Sequence, residues 1–145
     1  MRREYPDSPV ASVGAVIFCG EDVLLVRRRN EPSKDLWGLP GGVVKLGERV
    51  EDAIVREVEE ETNILVKPLR LLAVLDNIRR DDDGQIRFHY ILTEFRCAVV
   101  EGELRASTNA SDARWIAVTD LDLLKMSRMA RGLIMRVAEE EGILR

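Results

Sequence analysis

The chain is expected to fold as one α/β domain, a mixed β-sheet held between helices. Three observations lead there. Apolar, β-prone runs recur from Ser12 to Val118, separated by turn residues. Helical spacing occurs in one central and one C-terminal stretch, so strands and helices do not alternate as a doubly wound sheet requires. With 145 residues, 46% of them hydrophobic, the chain can bury a single sizeable core. Residues 1–145 are therefore read as one domain, with no repeat, low-complexity stretch or linker.

Residues 1–9, MRREYPDSP, carry two prolines and several charges and read as an N-terminal arm. Ser12 to Cys19 is continuously apolar, which predicts a strand covered on both faces. Gly20-Glu21-Asp22 turns the chain, and Val23 to Arg29 returns as a second strand. Asn30 to Asp35 is a loop. Leu36 to Val44 (LWGLPGGVV) is too rich in Gly and Pro for a long element, and predicts a short extended piece whose backbone closely approaches something. A helix follows from about Arg49 to Thr62. Pro68 to Arg79 is a strand, Asp81 to Gly84 a hairpin tip with Asp-Gly chemistry, and Arg87 to Val100 a long strand ending at Glu101-Gly102. Ser107 to Asp112 reads as a polar loop, Ala113 to Val118 as a short strand, and Leu121 to Met126 as a helical turn. Met129, Leu133 and Val137 place a helix ending near Gly142.

Composition excludes several classes of function. The net charge of −4 leaves no basic surplus for sequence-independent nucleic-acid binding. No apolar signal region and no run of 18 apolar residues occurs, so neither secretion nor membrane insertion is expected. Cys19 and Cys97 lie in separate apolar runs, and free core thiols in a reducing cytoplasm are the expectation.

The chemistry concentrates in Gly42–Ile64, GVVKLGERVEDAIVREVEEETNI. Glu57, Glu60 and Glu61 stand at i, i+3 and i+4 and share one helix face. At roughly 100° per residue, Ala53 falls among them and is expected to leave space above the helix. Ile54, Val55 and Val58 fall on the adjoining, core-facing arc. Asn63 suits the left-handed position just past the helix end, so Glu60 and Glu61 lie in the last turn, where the dipole disfavours acids. A cation would offset that penalty, and carboxylates without His or Cys point to Mg²⁺ or Mn²⁺. A solvated acidic face would show the same charges.

This stretch resembles the signature box of the Nudix hydrolases. Gly42 is followed after five residues by Glu48, then after seven by Arg56-Glu57, then by Val58, Glu59, Glu60-Glu61, Thr62, Asn63 and Ile64. The family usually has Gly at the position of Asn63, a change that keeps the left-handed role. The resemblance implies an α/β/α sandwich and divalent-metal-dependent hydrolysis of a nucleoside diphosphate linked to another moiety. It makes Glu57 and Glu61 the principal metal ligands, with Glu60 a third and a backbone carbonyl near Gly41 or Gly42 completing the shell. Arg56 would hold those carboxylates in place, with Glu48 either pairing with Arg56 or helping to bind the metal, the alternative for both being an ordinary surface ion pair. Glu60 is the first choice for the catalytic base and Asp112 the second.

Outside the box the signals are weaker. Strand alternation aims Arg27 and Arg29 to one face and Arg28 to the other; one of them can grip a phosphate, and a solvated strand end is the equal alternative. Trp37 can stack on a base or pack as a core or lid residue, whereas Trp115 reads as core. His89, the single histidine, reads as structural, and Asp81 to Asp83 as a solvated hairpin tip. The stretches VRRRNEPSKDLWGLPGGVVKLGE, FHYILTEFRC and SDARWIAV are similar to small ADP-ribose pyrophosphatase-type members. That likeness implies cleavage of ADP-ribose or a related nucleotide sugar to AMP and a sugar phosphate. Pyrophosphohydrolysis of a nucleoside triphosphate uses the same box, and a non-catalytic nucleotide sensor is the alternative of another class. Proteins of this type are often homodimers, an arrangement that the apolar strands and the arm permit.

Overall fold

The computed structural model describes residues 2–105 and 110–143, with backbone alone at 110 and 111. Seven strands are present: β1 (Val10–Cys19), β2 (Asp22–Arg28), β3 (Trp37–Gly38), β4 (Gly41–Val43), β5 (Leu65–Arg80), β6 (Ile86–Glu101) and β7 (Ala110–Ala117). The helices are α1 (Val50–Thr62) and α2 (Arg128–Glu140), and a 3₁₀ segment spans Val118–Leu123. The sheet runs β3-β2-β1-β6-β5, with β4 on β1 and β7 on β2. β1 and β6 are parallel, while the other pairings are antiparallel, which makes the sheet mixed as expected.

β1 explains the layering. Its alternate residues point to opposite faces, and both sets are apolar. Val13, Ala15 and Ile17 join Ala53, Ile54 and Val58 of α1 in one core. Val16 and Phe18 join Leu133, Ile134, Val137 and Ala138 of α2 in the other. The sheet therefore lies between the two helices as a sandwich. No helix among the described residues is long and apolar enough to cross a membrane.

Several local expectations are corrected. Ala53 does not open space above the helix; it is fully buried in the α1 core beside Ile54. Cys19 is exposed because β1 ends there at the Gly20 turn, whereas Cys97 is buried and its thiol is pushed up to about 12 by that burial. β7 begins at Ala110, inside the stretch read as a polar loop, because it pairs with β2 along its length; residues 107–109 of that loop lie outside the described residues. The helical turn expected at Leu121 starts at Val118, with Val118 and Leu121 buried in the α2 core.

Candidate functional site

The last turn of α1 carries the acids, as its sequence requires. No basic residue stands there, and Asn63 closes the helix at φ 65°. The acids are instead held by Arg56. Its Nε and Nη2 donate to both oxygens of Glu48, at 2.8 and 2.9 Å, a bidentate pair. Nη1 donates to Glu57 at 2.8 Å and to Glu60 at 3.2 Å, and Nη2 also reaches the carbonyl of Val43 at 3.0 Å. One guanidinium thus ties three carboxylates to the backbone of β4. It holds the Glu48 carboxyl down to about 2, and the paired carboxylates raise its own proton affinity.

β4 approaches α1 closely. The Gly41 amide donates to Glu61 Oε1 at 2.7 Å. A Cβ on Gly42 would lie within 2.7 Å of all three atoms of the Glu57 carboxyl group, so glycine here is what lets that carboxyl keep its place against β4. The Gly42 carbonyl accepts from Ser12 Oγ at 3.0 Å, which fixes β4 against β1. Burial raises the Glu61 carboxyl to about 7, with the nearby Glu57 charge adding to the effect.

One residue of this site was not found by sequence reading. Glu94, in β6, is 5% exposed, and its Oε2 is the buried side-chain atom without a hydrogen-bond partner among the described residues. It stands directly across from Gly14 of β1, where a Cβ would lie within 3.1 Å of its carboxyl atoms. Burial alone lifts Glu94 to about 7. Its signals were an acid inside the apolar run YILTEFRC and a glycine inside SVGAVIFC.

A cavity of about 750 Å³ lies above these groups, a volume ordinary for small-molecule sites. Glu57, Glu60, Glu61 and Glu94 form its acidic wall, with Arg56, Gly41 and Gly42. Arg29 and Trp37 also line it, the Trp37 ring packing on the α2 core beneath the Arg114 guanidinium, 5.9 Å from the ring centre. Arg27 does not. It lies outside the cavity near Asp35, and Arg28 lines the wall instead, because a register shift between Arg27 and Arg28 breaks the alternation assumed from sequence. Glu48 lies outside the cavity lining and reaches it through Arg56. Asp112 is also outside, bound to Arg114 at 2.8 Å, so the second choice of base is placed away from the acids. His89 lies off the cavity, and Trp115 packs on the α1 core.

The donor set fits a hard divalent cation. The lining holds five glutamates, four in this wall and Glu31 in the loop after β2, but neither His nor Cys. Among the described residues no three such side chains converge as a finished cage: Glu57 and Glu60 turn to Arg56, and Glu61 to the Gly41 amide. Two carboxyls raised to about 7 by burial show negative charge short of compensation, which a cation supplies.

This fold and this acidic wall define a class. Residues 8–137 match the NUDIX domain model, and the chain belongs to the Nudix hydrolase family. An ADP-ribose pyrophosphatase of Methanocaldococcus jannaschii is 38% identical over 116 residues, spanning 80% of this chain and 66% of that protein. A putative ADP-ribose pyrophosphatase of Bacillus subtilis, YjhB, is 34% identical over 101 residues, 70% of this chain and 46% of that one. The chain thus matches two thirds or less of each of these relatives. Among solved structures, a MutT Nudix hydrolase from Burkholderia pseudomallei superposes with a TM-score of 0.78 at 31% identity, covering 90% of this chain and 99% of that one. The NUDIX domain of Shewanella oneidensis NrtR, solved with ADP ribose, shares the fold with a TM-score of 0.75 at 24% identity, over 93% of this chain and 90% of that one.

Proposed function

We propose that the chain hydrolyses the pyrophosphate bond of a nucleoside diphosphate linked to another group, with ADP-ribose the foremost substrate and AMP and ribose phosphate the products. The observation that carries this is the meeting of Glu57, Glu60 and Glu61 with the close Gly41-Gly42 backbone and the unpartnered Glu94 on one cavity. The ADP-ribose pyrophosphatases among its relatives support the choice of substrate.

Glu57 and Glu61 would hold Mg²⁺ or Mn²⁺, with Glu60 and the Gly42 backbone assisting. Such an ion, when bound, neutralises phosphate oxygens and acidifies water. Arg56 positions the carboxylates, and Glu48 positions Arg56. Glu94 replaces Glu60 as the foremost proton acceptor, because among the described residues it has no cation partner and burial lifts it to about 7, where a general base works best.

Pyrophosphohydrolysis of a nucleoside triphosphate is the second reading, favoured by Arg3, Arg28 and Arg79 on the cavity wall. Incubation with Mg²⁺ and a panel of ADP-ribose, NADH, diadenosine polyphosphates and nucleoside triphosphates tests both. AMP release from ADP-ribose is expected, and no cleavage of any panel member overturns the enzymatic reading in favour of a nucleotide sensor. A second copy of the chain is the proposed cover for the exposed Leu69, Leu71, Val74 and Ile78 on β5, a sheet-edge strand of 16 residues. Light scattering at assay concentration checks it, and a monomeric mass removes the idea.

A further inference from the structure

We propose that Arg3, delivered by the N-terminal arm, is a substrate-binding residue that joins Arg79 in gripping a phosphate at the mouth of the cavity. The inference rests on the cavity being a nucleotide pocket.

The arm is fastened rather than loose. The Tyr5 amide donates to the Arg87 carbonyl at 2.7 Å, and the Tyr5 hydroxyl donates to Asp81 Oδ2 at 2.8 Å. Glu4 pairs with Arg87 at 2.7 Å, and Arg2 donates to the Tyr5 carbonyl at 2.7 Å. Tyr5 holds φ 49°, a conformation that bulky residues avoid, and these bonds on either side keep it there. Fixed in this way, the arm makes Arg3 part of the cavity wall.

Arg79 lines the same cavity and, like Arg3, is exposed. Its cross-strand partner is Phe88, the neighbour of the Arg87 that anchors Tyr5. Arg79 donates to Ser33 Oγ at 3.0 Å and Asn77 Oδ1 at 3.4 Å, so its side chain is aimed but not neutralised. Among the described residues neither Arg3 nor Arg79 has a carboxylate within 4.0 Å; the nearby Glu4 is taken by Arg87, and Asp7 lies 3.9 Å from Arg2. Two guanidiniums with no carboxylate within 4.0 Å therefore line a cavity that carries Glu57, Glu60, Glu61 and Glu94 on its acidic wall and Glu31 in the loop after β2. Guanidinium forks match phosphate oxygens, and a pyrophosphate offers oxygens to both walls at once.

The test compares Arg3→Ala, Arg3→Lys and Tyr5→Phe with the parent protein, using ADP-ribose. Hydrolysis is followed with Mg²⁺, and binding by calorimetry with Ca²⁺ in its place. Arg3→Ala should raise KM and Kd about tenfold, or 1.4 kcal/mol, with kcat changed less than twofold and Tm unmoved. Arg3→Lys should recover part of the loss, and Tyr5→Phe should show part of it. Lys67→Ala, an exposed charge change on β5 outside the cavity lining, serves as control. Unchanged KM and Kd in Arg3→Ala would overturn the inference while leaving the proposed hydrolysis intact, as would a fall in kcat that tracks a fall in Tm. ADP-ribose that binds but is not cleaved would overturn hydrolysis alone, with Arg3 still judged by Kd. Absence of ADP-ribose binding overturns both.

Discussion

Glu94→Gln should make the metal-free protein more stable and the enzyme worse. Glu94 is buried, its Oε2 has no hydrogen-bond partner among the described residues, and its carboxyl is lifted from 4.5 to about 7. The folded state therefore holds this proton more tightly than the unfolded state, and stability falls as pH rises from the unfolded value through the folded one. Complete above pH 8, the shift corresponds to a penalty of about 3 kcal/mol, at 1.36 kcal/mol per pH unit. Near pH 5 the same penalty is below about 1 kcal/mol. Glutamine keeps the shape and carries no charge, so it escapes the penalty at every pH. For a domain of this length, thermal unfolding in EDTA at pH 8 should show the variant melting roughly 6–12 °C higher, the gap shrinking towards pH 5. With Mg²⁺ and ADP-ribose the variant should lose about 10²- to 10⁴-fold in kcat if Glu94 is the proton acceptor. A Tm difference that does not change with pH, or a variant less stable at pH 8, would refute the description of Glu94 as a buried, uncompensated acid.

Glu61→Gln should abolish metal-dependent turnover while its far-UV circular dichroism matches the parent; near-normal activity at saturating Mg²⁺ would remove the ligand assignment. Arg56→Ala should lower kcat/KM by about 100-fold, because Glu48, Glu57 and Glu60 lose their common donor. Arg56→Lys should recover little, since one ammonium cannot reproduce the two-pronged grip on Glu48. Gly42→Ala forces the Glu57 carboxyl aside, and Mn²⁺ titration should show roughly 10- to 100-fold weaker binding. Asn63→Ala should cost about 1–2 kcal/mol in urea unfolding, since alanine tolerates φ 65° poorly.

The sheet and both helices were readable because their patterns are local. α1 showed its period, its acids and its left-handed stop in consecutive residues, and the structure keeps all three. A helical wheel gives angles between side chains but not which arc meets the sheet, so Ala53 was put with the acids instead of in the core. Alternation failed at Arg27 and Arg28 because a bulge depends on the partner strand, which a single sequence does not display. Glu94 was missed for the same reason. Its meaning comes from Gly14, eighty positions earlier, and only the parallel pairing of β1 with β6 sets them face to face. The arm was recognised but not its attachment, because its anchors, Asp81 and Arg87, are equally remote in the sequence.

The two-sided character of β1 has a consequence for biosynthesis. A nascent chain that has emerged only as far as Gly84 contains β1, β2 and α1 but not β6, the parallel neighbour that pairs with β1 from Val10 to Ile17. Until β6 arrives, one edge of a strand apolar on both faces stands open, a surface suited to chaperones and to misassembly. The wall that pairs Glu61 with Glu94 is likewise missing at that stage. The residues proposed to hold the cation, Glu57, Glu60, Glu61 and Gly42, are already present at that stage, whereas Glu94, the proposed proton acceptor, is not, so the site becomes complete only once β6 has paired with β1.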